Sequence, residues 1–329
     1  MSEVMMKDRP FVKQEAYPEG IQEVIAYTKA HETAVPFKGK DGKELCGFFY
    51  KTEQEPKGTI LMLHGFTENA EKFREVIYAF LHLGYCVAIY DQRGHGRSYR
   101  YDGVEATWLT HIDRFETYID DFEQACQVFL PDAPGPYILW GHSMGGAVAA
   151  LGLEKQGDKT PFSKALLNSP MIAASTGGFP AFVGRIICRL AILFGKSKKI
   201  IFLSKPYTGE EKFEDSCATS KERFDWYDSV KASHKEFQNS SPSYRWTLES
   251  LKVTGKIMKK GAVERITIPV RLFQAGLDNT VLPEPQNAFV ARLPKGDLIR
   301  IDKAKHEIYR SNDPELLEWW ENTVAFLEQ

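Results

Sequence analysis

The sequence predicts an α/β fold in which a mostly parallel central sheet is flanked by helices. Short apolar runs alternate with segments of helical periodicity, and this alternation is typical of βαβ units with parallel strands. The apolar run at residues 137–140 leads through a Gly-His-Ser-Met-Gly turn into an Ala-rich helical segment. A later stretch of about ninety residues without alternation is too long for a loop, so it predicts a helical cap inserted after the strand that follows this helix.

Length, charge and cysteine content limit what this fold can do. The chain of 329 residues is 43% hydrophobic, which suffices for one large core with an insertion. Its net charge of -2, with acidic and basic residues mixed, offers no basic surface for nucleic acid. Five cysteines without a C-x-x-C pair indicate free thiols in a reducing compartment. Because neither an apolar signal segment nor a membrane span is visible, we expect a cytoplasmic protein.

The elements before the Gly-Ser turn can be placed by their periodicity. An antiparallel hairpin is predicted first, where two apolar segments flank a turn with two glycines. Two buried strands follow, each succeeded by a helix, and the second helix has apolar residues at three- and four-residue steps. These segments are the hairpin at 32–37 and 45–51, the strands at 59–63 and 85–90, and the helices at 70–83 and 115–129.

The same alternation beyond the turn predicts the domain boundaries. It stops after a short strand that ends in Asn-Ser-Pro and resumes near the C-terminus. The predicted segments are strands at 165–167, 268–274 and 298–301 and a final helix at 314–327. We therefore predict a core in two parts, residues 1–171 and 263–329, with a helical cap at 172–262.

Ser143 is the candidate nucleophile. It lies at the tip of the predicted strand, turn and helix, which is the context that a G-x-S-x-G nucleophile elbow requires. Gly141 and Gly145 flank it because the strand and helix backbones come too close there for side chains. The helix directs its N-terminal amides and positive dipole end to the same place. A structural Gly-Ser turn is the alternative interpretation.

An activated serine needs a base and an acid that orients the base, both on loops at the carboxyl ends of strands. Asp278 lies just past the strand after the insertion, and His306 follows the last strand. Ser143, Asp278, His306 is the chain order expected of a triad on such a sheet. Asp302 is the second candidate for the acid, and an ordinary turn aspartate is the alternative interpretation of Asp278.

Two backbone N–H groups are candidates for an oxyanion hole, which acyl transfer requires because negative charge develops on the carbonyl oxygen. One is the N–H of Met144, the residue after the candidate nucleophile. The other is the N–H of Phe66, in the His-Gly-Phe segment that follows a buried strand. His64 is predicted to brace this loop rather than to carry a proton.

Other classes of site lack the residues that they require. The Gly-x-Gly at residues 94–96 is not a dinucleotide fingerprint, because Tyr99 stands where the third glycine should be. No Walker motif, H-E-x-x-H motif or close Cys/His spacing occurs, so we expect neither a nucleotide site nor a metal site. The segment at 91–98 is predicted to form a rigid loop that Asp91 and Arg93 brace by hydrogen bonds.

Together these motifs resemble the α/β-hydrolase family. They are Gly-His-Ser-Met-Gly-Gly at 141–146, His-Gly-Phe at 64–66, Asp-Gln-Arg-Gly-His-Gly-Arg-Ser at 91–98, Asp278, and His-Glu at 306–307. Within the family, the chain is most similar to the lysophospholipase L2 and monoacylglycerol lipase branch, often grouped with serine aminopeptidases of the S33 type. The segment at 114–121 looks particularly like lysophospholipase L2.

The resemblance implies an α/β-hydrolase fold and a serine ester hydrolase that needs no cofactor. It implies that Ser143 is the nucleophile, His306 the base, Asp278 its orienting acid, and the Phe66 and Met144 N–H groups the oxyanion donors. Gly-Phe-Thr-Glu departs from the Gly-Gly-Pro-Gly loop of proline iminopeptidases, which disfavours peptidase activity. Single-chain lipid esters are the expected substrates. A short-chain carboxylesterase and a non-catalytic binding protein are the alternatives.

A hydrophobic helix predicted at residues 180–194 bears on the substrate. Its apolar residues cover most of its circumference, and Arg185, Arg189 and Lys196 form one narrow basic strip. Because it is too short to span a bilayer, one hypothesis is that it covers the active-site mouth and rests on an anionic lipid surface at the inner face of the membrane. The alternative hypothesis is a lid helix packed wholly inside the cap.

Overall fold

An eight-stranded sheet forms the centre of the molecule within the residues that the computed structural model describes, which are 4–6, 9–104, 106–202, 204–209 and 211–329. Two short two-stranded ladders lie outside this sheet. The strands are β1 (Glu32–Ala34), β2 (Phe37–Lys38), β3 (Glu44–Leu45), β4 (Gly47–Tyr50), β5 (Gly58–Leu63), β6 (Tyr85–Tyr90), β7 (Leu109–Thr110), β8 (Tyr137–His142), β9 (Phe162–Asn168), β10 (Ser241–Pro242), β11 (Val270–Ala275) and β12 (Gly296–Ile301).

The sheet is mostly parallel, which confirms the predicted fold class. Its order is β1-β4-β6-β5-β8-β9-β11-β12, with the β1–β4 and β4–β6 pairs antiparallel and the others parallel. The predicted hairpin is divided into a β1–β4 ladder and a β2–β3 ladder, since Pro36 between them has no N–H to donate. Because β5, β8, β11 and β12 are parallel, the loops that follow them meet at one edge of the sheet.

Helices cover both faces of the sheet. They are α1 (Tyr17–Ala30), α2 (Arg74–Leu83), α3 (Glu116–Phe129), α4 (Met144–Gln156), α5 (Ala181–Leu193), α6 (Lys221–Ser233), α7 (Tyr244–Ile257), α8 (Pro283–Arg292) and α9 (Asp313–Leu327). Along β5, Ile60 and Met62 belong to one core, which α2 and α9 cover. Leu61 and Leu63 belong to the other core, with residues of α3, α4 and α7. Because both faces of β5 are buried, its sequence is continuously apolar.

Helix α1 is an element that the sequence analysis did not predict. Its Tyr17 and Val24 are buried in a small apolar cluster with Tyr78 of α2. The guanidinium of Arg223, in α6, lies over the Tyr17 ring at 4.9 Å and pairs with Glu75 Oε2 at 3.0 Å. These contacts join α1, α2 and α6.

The segment between β9 and β11 contains helices α5, α6 and α7. Helix α7 packs against both α5 and α4, so it connects the outer helices with the helix that follows Ser143. Strand β10 in this segment also pairs in parallel with β7. The assignment of residues 172–262 as a separate cap stays a prediction.

The predicted helix at 180–194 is α5, and most of its apolar residues face outward. Leu190 is 51% exposed, and Leu193 and Phe194 are each 77% exposed, whereas Cys188 is buried. The alternative hypothesis of a helix packed wholly inside the cap is therefore wrong. Within the described ranges, no helix combines the length and the hydropathy needed to cross a membrane. We call the outward residues the α5 apolar face; they are Phe182, Ile186, Leu190, Leu193 and Phe194.

Candidate active site

Ser143 occupies a sharp turn between β8 and α4. Its φ of 52° and ψ of -116° lie outside the regions that most non-glycine residues adopt. A Cβ on Gly145 would lie 2.1 Å from the Leu63 carbonyl oxygen, and one on Gly141 would lie 2.9 Å from the Gly145 carbonyl oxygen. Both positions therefore require glycine. The turn has the strand, turn and helix geometry of a nucleophile elbow.

His306 lies between Ser143 and Asp278. Its Nε2 atom is 2.8 Å from Ser143 Oγ, and its Nδ1 atom is 2.7 Å from Asp278 Oδ2. Burial acts to raise the pKa of Asp278, but His306 and the backbone N–H groups of Thr280 and Val281 hold that pKa below its ordinary value. Because a carboxylate only accepts hydrogen bonds, Nδ1–H donates to Asp278, and Nε2 accepts the hydroxyl proton of Ser143.

Asp302, the second candidate for the orienting acid, does not contact His306. Its side chain is 82% exposed, and Oδ1 pairs with Arg300 Nε at 2.8 Å. A Cβ on Gly276 would lie 2.1 Å from the Asp302 carbonyl oxygen, so the two loops meet through their backbones. The Asp278 side chain is thus the one that meets the imidazole.

The loop that contains Phe66 lies directly beside Ser143. A Cβ on Gly65 would lie 3.0 Å from Ser143 Cβ, so the backbone comes this close because Gly65 has no side chain. In the part of the chain that the structure describes, neither the Phe66 N–H nor the Met144 N–H donates a hydrogen bond to another residue. Both N–H groups are therefore free to donate to a substrate oxygen, as an oxyanion hole requires.

A buried charge network behind this loop was not predicted from the sequence. Glu68 Oε2 accepts a hydrogen bond from the Gly65 N–H at 2.6 Å and lies 2.9 Å from His142 Nδ1. Lys72 Nζ lies 2.9 Å from Glu68 Oε1 and 2.6 Å from Glu307 Oε1. The four-residue spacing of Glu68 and Lys72 was the available signal, but such pairs usually lie on solvated helix faces. Tertiary packing is what buries this one.

The charges in this network set each other's protonation. Burial acts to raise the pKa of Glu68, but Lys72 and His142 hold it well below its ordinary value. Burial also opposes charge on His142, yet the Glu68 carboxylate raises the pKa of this imidazole. The charged imidazole donates from both nitrogens, Nδ1 to Glu68 and Nε2 to the His306 carbonyl oxygen at 3.2 Å. The network thus connects the Phe66 loop with the segment that carries His306.

The neighbouring loops are braced by hydrogen bonds, as predicted. His64 is buried, and its Nε2 accepts the Gln92 N–H at 2.8 Å. The Asp91 carboxylate accepts two backbone N–H groups, at 2.7 and 2.8 Å. Arg93 is buried and pairs with Asp121 at 2.8 Å. These contacts hold the loop at 91–98 in place beside the candidate site.

Cysteines and metal-ligating residues do not add a second reactive centre to the described part of the chain. No three His, Cys, Asp or Glu side chains there are grouped so that they could hold a metal ion. All five cysteines are free thiols. Cys217 lies near the Asp278 loop, with Sγ 3.6 Å from Thr280 Oγ1, and burial raises its pKa to about 11. A thiol with that pKa stays protonated and is a poor nucleophile.

Comparison with known protein families identifies the family to which this chain belongs. The model of the family described as serine aminopeptidase, S33, matches residues 54–315, which include Ser143, Asp278 and His306. The chain belongs to this α/β-hydrolase family. It is a serine hydrolase of the lipase and esterase type.

Two curated relatives and one solved structure are similar to this serine hydrolase. A probable lysophospholipase L2 of Haemophilus influenzae is 24% identical over 283 residues, which are 84% of this chain and 87% of the relative. A monoacylglycerol lipase of Mycolicibacterium smegmatis is 30% identical over 159 residues, which are 47% of this chain and 53% of the lipase. The structure of a thermostable carboxyl esterase from Bacillus coagulans, in complex with glycerol, has a TM-score of 0.70 at 20% identity and covers 90% of this chain and 98% of the esterase.

An apolar cavity of about 420 Å³ adjoins the candidate site of this serine hydrolase. Ile187 of α5 and Trp246 of α7 contribute to its lining. The Trp246 ring lies against the Phe66 ring, with centroids 4.1 Å apart. Ala174, also in the lining, forms a β-bridge with Val281 in the loop that carries Asp278. Residues that contact the Phe66 loop and the Asp278 loop therefore line the cavity.

Proposed function

We propose that this serine hydrolase cleaves the carboxylic ester of single-chain lipids, lysophospholipids or monoacylglycerols, through an acyl-enzyme on Ser143. In this proposal His306 is the base, Asp278 orients it, and the N–H groups of Phe66 and Met144 form the oxyanion hole. The hydrogen-bonded series from Ser143 to His306 to Asp278, at 2.8 and 2.7 Å, supports the catalytic roles. The apolar cavity beside Phe66 is the observation that supports a lipid substrate.

The proposed reaction has two halves. Ser143 Oγ attacks the ester carbonyl carbon while His306 Nε2 takes the hydroxyl proton, and Asp278 stabilises the imidazolium that results. The tetrahedral intermediate then breaks its bond to the alcohol oxygen, and the alcohol leaves with the proton from His306. Water attacks the acyl-enzyme with His306 again as base, which releases the fatty acid and restores the serine hydroxyl. The Phe66 and Met144 N–H groups stabilise the oxyanion in both halves.

A long acyl chain suits the apolar cavity. A volume of about 420 Å³ lies within the range of small-molecule sites, about 300–1,000 Å³. Trp246 lines the cavity and lies against the Phe66 ring, and aliphatic side chains of α5 such as Val183 and Ile187 also line it. Burial of hydrocarbon stabilises the complex by about 0.8 kcal/mol per CH₂ group, so a long chain binds more tightly than a short one.

The α5 apolar face, in this proposal, rests on an anionic lipid surface while substrate enters. Leu193 and Phe194 are each 77% exposed, and the basic residues Arg189 and Lys196 are exposed beside them. Interfacial helices bind membranes in this way, with apolar side chains in the acyl boundary and basic ones at the head groups. The predicted cap at 172–262 would then cover the mouth of a cytoplasmic enzyme that contacts the inner face of the membrane transiently.

A general short-chain carboxylesterase is the second candidate function, because the structurally similar Bacillus coagulans protein is a carboxyl esterase. The names of the two sequence relatives, a probable lysophospholipase L2 and a monoacylglycerol lipase, favour lipid esters. A non-catalytic binding protein is a third alternative, and labelling of Ser143 by a fluorophosphonate probe distinguishes it from both enzymes. Absence of labelling on folded protein would favour the binding protein.

Hydrolysis of monoesters that differ in acyl length alone tests the lipid proposal. We expect kcat/KM to rise from butyryl to palmitoyl esters. Val183→Phe should weaken that preference because Val183 lines the apolar cavity, whereas Ala181→Phe, on the exposed side of the same helix, is the matched control. A kcat/KM that falls from butyryl to palmitoyl, together with no binding to anionic vesicles, would favour the short-chain esterase.

A further inference from the structure

Another Ser–His–Asp series lies outside the candidate active site. His111 follows β7, and its Nδ1 atom is 2.8 Å from the Oγ atom of Ser243, the residue that precedes α7. The other ring nitrogen, Nε2, is 3.2 Å from Asp113 Oδ1. His111 and Ser243 are both buried, whereas the Asp113 side chain is exposed. We call these three residues the His111 series.

The direction of each hydrogen bond in the His111 series follows from its chemistry. Burial lowers the pKa of His111 from its ordinary value of 6.5, although Asp113 opposes this effect. The imidazole is therefore neutral at neutral pH, with one N–H group and one acceptor nitrogen. Because a carboxylate only accepts hydrogen bonds, Nε2–H donates to Asp113, and Nδ1 accepts the hydroxyl proton of Ser243.

This geometry does not make Ser243 a second nucleophile. Its side chain is fully buried, so an ester carbonyl cannot reach Oγ. The same oxygen accepts the Trp246 N–H at 3.1 Å, as the N-cap of α7. That N–H lies in the first turn of the helix, where the helix itself has no carbonyl to accept it. Because the Ser243 hydroxyl proton goes to His111, the lone pairs of the oxygen stay available to the Trp246 N–H.

Trp246 connects the start of α7 with the candidate active site. Its ring lies against the Phe66 ring, with centroids 4.1 Å apart, and it also lines the apolar cavity. Its Nε1–H donates to the Tyr118 hydroxyl at 3.3 Å. The Trp246 backbone is thus held by Ser243 and its ring by Tyr118. A shift of the first turn of α7 would therefore move the surface against which the Phe66 ring packs.

The backbone on either side of the His111–Ser243 contact is fixed as well. Strand β7 pairs in parallel with β10, and the Ser243 N–H donates to the Thr110 carbonyl oxygen at 2.9 Å. The Tyr101 ring meets the His111 ring edge to face, with centroids 5.1 Å apart. A Cβ on Gly94 would lie 3.1 Å from the His111 carbonyl oxygen, so a neighbouring loop packs closely against this segment. The imidazole therefore acts from a fixed backbone on the start of α7.

We propose that His111 is a positioning residue for ester hydrolysis. Through Ser243 it holds the first turn of α7, and Trp246 in that turn supports Phe66, whose N–H is the proposed oxyanion donor. This inference rests on the proposed function. His111 does not contact the reacting atoms, so its loss should misplace the Phe66 N–H rather than remove it. A misplaced donor stabilises the oxyanion less, because such donors must lie about 2.7–3.1 Å from the oxygen.

Substitutions of His111 and Ser243 test the proposal, with kcat for 4-nitrophenyl butyrate as the readout. His111→Leu and Ser243→Ala should each lower kcat about tenfold with KM little changed, a smaller effect than the roughly 100-fold loss of a whole oxyanion donor. The double variant should be scarcely slower than either single one, because both changes remove the same hydrogen bond. His111→Asn places an amide oxygen near the position of Nδ1, so it should restore most of the lost kcat.

Ser220→Ala is the matched control. Ser220 is also a buried serine that caps a helix, since its Oγ accepts the Arg223 N–H at 3.3 Å at the start of α6. Both serine variants should lower the temperature of thermal unfolding, because both remove an N-cap, but only Ser243→Ala should lower kcat.

Three results would overturn the positioning role and leave the proposed function standing. They are an unchanged kcat in His111→Leu, a loss of kcat in His111→Asn equal to that in His111→Leu, and equal losses of kcat in the two serine variants. Circular dichroism checks that each variant is folded. If His111→Leu does not fold, the comparison of Ser243→Ala with Ser220→Ala decides.

Failure of the proposed function has a different signature, which appears in the unsubstituted protein. Turnover of 4-nitrophenyl butyrate without turnover of monopalmitoylglycerol would contradict the lipid substrate, and the butyrate kcat of the variants would still decide the role of His111. Hydrolysis of neither ester would overturn both proposals.

Discussion

Gly65 and Glu68 are joined by a hydrogen bond of 2.6 Å from the Gly65 N–H to Glu68 Oε2, one residue before the proposed oxyanion donor Phe66. The same carboxylate lies 2.9 Å from His142 Nδ1, and His142 Nε2 donates to the His306 carbonyl oxygen at 3.2 Å. One buried carboxylate therefore holds both the loop of the proposed oxyanion donor and the segment that carries the proposed base, His306. It acts by positioning, since it does not contact the reacting atoms.

The substitution Glu68→Gln tests this positioning role. A neutral amide cannot keep His142 charged, so the loop and the His306 segment should lose their common anchor. We expect kcat to fall about 100-fold with KM little changed, which is comparable to the loss of one oxyanion donor. Steady-state kinetics across a pH series measure the effect, and Glu55→Gln, at an exposed position, is the control. A loss of kcat that is matched by a loss of thermal stability, with no change in the pH profile, would contradict a positioning role.

Ser143→Ala and His306→Ala test the proposed nucleophile and base. Each should lower kcat by about 10⁴-fold to 10⁶-fold, because removal of either group ends covalent catalysis. Members of a triad act as a unit, so the double variant should be scarcely slower than either single one. Ester hydrolysis is the measurement, and circular dichroism checks the fold. Near-wild-type turnover by Ser143→Ala would refute the mechanism.

Stability should decrease in acid because of Glu68 and Glu307. Burial acts to raise the pKa of both carboxyls, but Lys72 together with His142 or Arg310 holds each below its ordinary value of 4.5. A group with a lower pKa in the folded state stabilises the fold above its ordinary pKa and loses that contribution as the pH falls toward the folded value. The free energy of unfolding should therefore drop as the pH falls below 4.5.

Urea unfolding at a series of pH values measures this loss. Glu307→Gln should reduce the slope of stability against pH below 4.5, whereas the exposed Glu55→Gln should not. His142 has the opposite sign, because its raised pKa makes its contribution complete below 6.5 and lost as the pH rises through the folded value. An acid slope identical in Glu307→Gln and in the unsubstituted protein would rule out this carboxyl as a source.

The α5 apolar face should govern vesicle binding without affecting the fold. Leu193→Ser with Phe194→Ser removes two side chains that are each 77% exposed, so we expect the free energy of unfolding to change by less than about 0.5 kcal/mol. Binding to anionic vesicles should weaken more than about tenfold, because each buried apolar side chain contributes about 1.5–3 kcal/mol. Val128→Ser, at an exposed apolar position of α3, is the control. Vesicle sedimentation that the double variant does not alter would exclude this face.

Two glycine substitutions should change the stability of the protein in opposite directions. One glycine lies where the strand and helix backbones cross closely at the elbow, and the other lies in open space on α7. Gly145→Ala places a Cβ 2.1 Å from the Leu63 carbonyl oxygen and should destabilise the protein by about 1–3 kcal/mol. Gly255 is exposed in the middle part of α7, and a Cβ there would have no atom within 4 Å. Gly255→Ala should therefore stabilise the protein by about 0.5–1 kcal/mol. Thermal unfolding of both variants checks the prediction. Equal effects would mean that the elbow backbone relaxes to accommodate the methyl group.

The sequence alone determined the features that depend on local pattern. Strand and helix alternation reflects burial along each segment, so the order of elements and the parallel sheet could be predicted. The glycines at 141 and 145 indicate that two backbone segments cross closely within five residues, so the elbow could be predicted as well. Helix α1 was missed because the contacts that bury it, such as that of Tyr17 with the guanidinium of Arg223, come from another part of the chain.

Tertiary structure decided the features that depend on which distant residues meet. Packing directs Asp278 rather than Asp302 to His306, although both lie at strand ends. It buries Glu68 against Tyr309, a partner 241 residues away. It also leaves the α5 apolar face exposed and creates an apolar cavity whose Trp246 lies against Phe66. Local periodicity reports that a side chain prefers burial, but the charge environment and the shape of a cavity arise from contacts between elements that are far apart in the sequence.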